Sequence, residues 1–203
     1  LGRPLGPGAD VAGAVAAMRR ARDLEPRTGA TRAHLGWLLT HDAAGARWAK
    51  GAPLDEAIAE FRHVREVLGQ PDADEPLLEA LLRDDRDRDA FALARGMKPG
   101  PFRNGALLAA AARAEGPEVA AAEAAKLDVT ARTGALETAA LELLGARRYE
   151  DAAALLERGA AGTPSAASLG WLALLGLTSQ SIGYLFISIS LPRLPAVLTS
   201  IIL

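Results

Sequence analysis

His34, His41 and His63 are the only imidazoles in this 203-residue chain, and it has no cysteine. Metal binding or general-base chemistry would therefore have to be built from those three and from carboxylates. His34 and His41 stand seven residues apart, about 10 Å of rise on a helix, too far to share one ion without a ligand between them. No HExxH is present, so the histidines read as solvated or capping groups, with no metal and no cofactor expected. Asp85, Asp87 and Asp89 alternate within the charged run Arg83 to Asp89, which invites comparison with a calcium loop. An EF-hand would continue with glycine and then, six residues on, glutamate, where this chain has Ala90 and Gly96. Alternating opposite charges make a solvated surface of weak ion pairs instead. Gly6, Gly8 and Gly13 are followed by no lysine-serine or lysine-threonine pair, so they form no phosphate loop. Ser165, Ser168, Ser179 and Ser181 sit in no nucleophile elbow, and the C-terminal half holds no histidine. No catalytic residue is assigned, and the chain reads as a non-enzyme.

The elements that would position any other site are set by internal repetition. An apolar residue, a small residue three on, a bulky one four further, a small one three further and then a proline recur along the chain. The copies are Val11, Ala14, Met18, Ala21, Pro26; Leu54, Ala57, Phe61, Val64, Pro71; Asp87, Phe91, Ala94, Pro99; and Tyr149, Ala152, Leu156, Gly159, Pro164. The first and last prolines are 138 residues apart, about four units of ~34, the period of helix–turn–helix arrays. Small residues two turns apart let a neighbouring backbone approach, and the proline ends each unit by biasing Glu25, Lys98 and Thr163 away from helix. The preceding helix of a pair is clearest at Leu35-Gly36-Trp37-Leu38-Leu39 and in the stripe Leu136, Ala139, Ala140, Leu143, Leu144.

Through Leu35-Gly36, Leu54-Asp55-Glu56-Ala57 with Phe61, and Tyr149-Glu150-Asp151-Ala152 to Pro164, the chain resembles the tetratricopeptide (TPR) repeat family. The resemblance spans roughly residues 9 to 166, strong at both ends and poor from 71 to 132. Arg32 stands where the family has a large aromatic, Asp87 replaces a small packing residue, and about nine extra residues around His41–Gly51 lengthen the second unit. The resemblance implies an all-α fold of antiparallel helical hairpins stacked as a right-handed solenoid over residues 9–177, with a concave groove that docks a protein or peptide. The groove positions it implies are Ala30, Ala33, Trp37, Thr40 and His41 in one unit and Gly134, Glu137, Leu141 and Leu144 in another. Trp37 is either the anchor for a partner or part of the core. In the insertion, Trp48 between Arg47 and Lys50 either meets an acidic partner or folds back as a cover.

Composition adds exclusions. A net charge of −2 offers no electrostatic case for nucleic acid, and no small-molecule substrate is indicated. The Pro/Gly-rich residues 1–8 read as a flexible segment, and the missing first helix of the first pair suggests a fragment of a larger bacterial-type assembly or multidomain protein. The last 26 residues, 178–203, change character: isoleucine occurs once before residue 178 and five times after it. The 23 uncharged residues from Leu169 to Leu191 match the length of a bilayer span, about 20 residues, while Thr178 to Ser181, Pro192 and Pro195 interrupt it. A membrane anchor formed by residues 169–203, a packed tail and a foreign sequence all remain open. A cytoplasmic location is expected, membrane-associated if the tail is an anchor. The expectation is a non-catalytic TPR-like scaffold. The alternatives are a regulatory region of a larger enzyme and a membrane-tethered assembly factor.

Overall fold

The computed structural model describes residues 10–159. The expectations for residues 1–8, for Thr163 and for the tail lie outside the described residues. Among those described, the chain is all-helical: α1 (Val11–Leu24), α2 (Gly29–Leu39), α3 (Leu54–Arg62), α4 (Asp74–Arg83), α5 (Asp87–Gly96), α6 (Pro101–Ala114), α7 (Pro117–Ala124), α8 (Val129–Gly145) and α9 (Tyr149–Gly159). No described helix is long and apolar enough to cross a membrane.

Local chemistry sets the boundaries. Asp10 accepts a hydrogen bond from the Gly13 N–H at 2.7 Å and Asp128 accepts one from Ala131 at 3.0 Å; each carboxylate satisfies an orphan donor at a helix start. Proline opens α6 and α7, where its missing N–H costs nothing. Gly116 turns the chain between those helices at φ 104°, a conformation closed to residues with a Cβ. At Glu25, before Pro26, the backbone has left the helix as the proline rule expects, and Lys98 before Pro99 is likewise non-helical. The helix α3 runs on into a π-helical turn at His63–Val67.

Each helix packs on the next, and alternate helices also meet: α4 with α6, α6 with α8, and α7 with α9. Two apolar clusters result. The first joins Leu35, Phe61, Leu78, Leu81 and Leu107; the second joins Leu108, Leu136, Leu143 and Leu155. Helix α6 belongs to both, and every residue from Asn104 to Ala112 is buried.

The recurrent small residues Ala57, Ala94, Ala152 and Gly159 are buried, whereas Ala14 and Ala21 are only half-buried. In the last copy the core position belongs to Leu155, with no exposure, while its neighbour Leu156 and the leading Tyr149 are exposed. The anticipated bulky filler is therefore off by one residue there. Helix α1 is tied down by ions as well: Arg22 and Arg32 both bind the buried Glu60 at 2.7 Å, and Arg19 pairs with Glu56. Arg32, at the position where an aromatic residue was anticipated, closes that network and bonds the Pro26 carbonyl at 3.0 Å.

Gly36 on α2 lies against the Phe61 ring of α3. A Cβ there would stand 2.7 Å from the buried Phe61 ring, while one at Gly134 on α8 meets nothing within 4 Å. Gly36→Ala is expected to lose about 1–2 kcal/mol net, overpacking outweighing better helix propensity. Gly134→Ala is expected to gain about 0.5–1 kcal/mol. Urea denaturation of the two variants checks the opposite signs; equal shifts would refute the close-contact assignment.

Candidate functional site

A largely apolar recess of about 360 Å³ lies between α2 and α4. Ala33, His34 and Trp37 from α2 form one wall, the buried Phe61 from α3 lies at the back, and the exposed Phe102 at the start of α6 stands at the opening. Asp72, Glu75, Pro76 and Glu79, from the 3₁₀ turn at Pro71–Ala73 and from α4, make the opposite wall. A smaller cavity continues from Glu79 and Phe102 to Ala106 on α6 and to Thr138 and Glu142 on α8, where Arg83 pairs with Glu142 at 3.1 Å. The even-numbered helices thus contribute one continuous lined surface.

The α2–α3 connection props up one edge of the recess. Asp42 Oδ1 accepts from the N–H groups of Ala44 and Ala46, each at 2.9 Å, and His41 and Arg47 bridge across the turn. Trp48 follows with φ 61°, a left-handed conformation costing about 1–2 kcal/mol. Its ring packs half-buried on the first apolar cluster. The Arg47 guanidinium lies 4.5 Å from the centre of that ring and reaches Glu79 at 2.9 Å.

Of the groove positions implied by the sequence, Ala33 and Trp37 line the recess, joined by His34, by Phe61 of the repeat pattern and by Arg47 of the α2–α3 connection. The Trp37 ring meets that of His41 edge-on at 4.6 Å, and its indole N–H has no hydrogen-bond partner among the described residues. Thr40 and His41 are 1% and 2% exposed: Thr40 Oγ1 donates to the Trp37 carbonyl at 2.7 Å, and His41 Nδ1 lies 3.0 Å from the same oxygen. They cap the end of α2 and are buried beneath the surface. Glu137 and Leu141 are exposed on α8, outside the recess. Phe102, Glu75 and Glu79 were not anticipated.

The aspartate run has a different role. Arg113, extending from α6, places Nε 2.8 Å from Asp87 and also pairs with Asp85, while Asp89 is gripped by Arg62 at 2.6 Å and Arg86 at 3.0 Å. Burial pushes the Asp87 carboxyl above the usual range despite Arg113, whereas the hydrogen bond from Arg62 holds Asp89 below it. Among the described residues no group of three or more His, Asp or Glu side chains is placed to hold a metal ion. Compared with known proteins, the chain matches no family model, no curated protein and no solved structure.

A depressed folded-state pKa means that Asp89 stabilises the fold above its unfolded pKa of about 3.9 and that this contribution is lost as pH falls through the folded value. Asp89→Asn is expected to cost less than about 1 kcal/mol at neutral pH, the pair being half-exposed, and nothing in acid below the folded pKa. Asp87, shifted the other way, is expected to titrate above Asp89 in a carboxyl NMR titration. The reverse order would remove the assigned pairing.

Proposed function

We propose that this chain is a non-catalytic scaffold, TPR-like in stacking antiparallel helical hairpins as a right-handed solenoid, that binds a protein or peptide along the face lined by α2, α4, α6 and α8. The period of about 34 residues and the packing of alternate helices support the stacked arrangement. A single observation carries the binding assignment: the aromatic recess of Trp37, Phe61 and Phe102 opens on the same surface that the smaller cavity extends to α8. A concave apolar site with a few polar groups at its edge is the usual form of a ligand-receiving surface. Phe102, at 37% exposure, supplies a large ring at the mouth, the residue type that dominates interface energies.

Selection of displayed peptides on the full chain tests this. Phe102→Ala is expected to weaken the selected peptides by ten-fold or more, as a central anchor costs about 2 kcal/mol on truncation. Leu24→Ala, at an 84% exposed site on α1, is expected to change nothing. Peptides that bind both variants and the parent alike, as measured by fluorescence polarisation, would reject this face as the docking surface.

A further inference from the structure

We propose that the recess receives the arginine side chain of a peptide partner, an inference that rests on the docking face described above and specifies what it recognises. Three carboxylates, Asp72, Glu75 and Glu79, line the recess, against one guanidinium, Arg47. Arg47 is committed to Glu79. Asp72 and Glu75 have no ion-pair or hydrogen-bond partner among the described residues, and both are exposed. Behind them stand the rings of Trp37, Phe61 and Phe102. Aromatic faces beside unneutralised carboxylates favour a cation whose charge is spread over a flat group: it stacks on the rings while its N–H fork meets the carboxylates.

The protein already builds this arrangement once, at the edge of the recess, where Arg47 lies over the Trp48 ring and donates to Glu79 at 2.9 Å. A partner arginine entering beside Phe102 would repeat it with Asp72 and Glu75. Charge complementarity thus selects a basic peptide over an acidic or purely apolar one, which would leave two carboxylates facing apolar surface.

The probe is the blocked tripeptide acetyl-Gly-Arg-Gly-amide, titrated into the full chain while the indole N–H resonance of Trp37 is followed by NMR. A saturable shift is expected in the millimolar range, absent for the citrulline tripeptide, whose urea group has the shape without the charge. Glu75→Gln, at an exposed position that leaves the core untouched, is expected to weaken binding about five-fold and to flatten its salt dependence. Equal binding of citrulline, equal binding of a lysine tripeptide, an unchanged Glu75→Gln variant, or a Trp37 resonance unmoved at about 10 mM peptide each overturns the proposal. Display-selected peptides that lack basic residues yet lose binding in Phe102→Ala would overturn arginine recognition alone and keep the docking face. Loss of both results would remove the face itself.

Discussion

The packing of α6 is the constraint on which the rest of the described structure depends. From Asn104 to Ala112 this helix is buried all round, with α4 and α5 on one flank and α7 and α8 on the other. A helix so enclosed must be thin, because interaxial distance is set by the side chains at the contact. Ala106, Ala109, Ala110, Ala111 and Ala112 supply the thinness, and Leu107 and Leu108 point into the two separate clusters. Gly105 extends the same logic, since a Cβ there would stand 2.5 Å from the Thr138 side chain of α8. Close packing of this kind tolerates little added volume. It also fixes where the first turn of α6 emerges, and so where Phe102 stands relative to α4.

Away from α6 the fold relies less on leucine and more on arginine. Helix α1 presents Val11 as its only fully buried residue, and the Arg22–Glu60–Arg32 network joins it to α2 and α3. Two cations around one buried carboxylate are tolerable only when all three stay together, because a lone buried charge is expensive. Arg113 plays a comparable part between α6 and the start of α5. Its side chain is 6% exposed and lies between Asp85 and Asp87, so the charged run that resembles a cation site is occupied by a residue of the chain itself.

Proline and small-residue spacing made α1, α2, α3, α5 and α9 legible, and the Leu/Ala stripe did so for α8, because each has one apolar side whose period can be counted. Residues 71–132 read poorly for a physical reason. In α6 no side faces water over most of its length, so no amphipathic period exists to count, and α7 buries alanine rather than a bulky stripe. The site divides in the same way. Trp37 could be found as a large ring on a helix with a glycine beside it. Thr40 and His41 lie past Leu39, where α2 stops, so the face that helical spacing assigns them does not carry over and both side chains are buried. Glu75 and Glu79 carried a readable signal, carboxylates four apart on the side of α4 away from Leu77, Leu78 and Leu81. Phe102 carried only its position after Pro101.

The charge imbalance of the recess is tied to the same α2–α3 connection that shapes its edge. The turn held by Asp42 delivers Trp48 in a left-handed conformation, the ring packs on the core, and Arg47 is carried across to Glu79. Tethered by ring and carboxylate together, Arg47 satisfies Glu79 and leaves Asp72 and Glu75 uncompensated beside Trp37 and Phe102. The α2–α3 connection therefore acts on the surface through Arg47. It fixes which of the protein's own charges around the recess are paired and which are not.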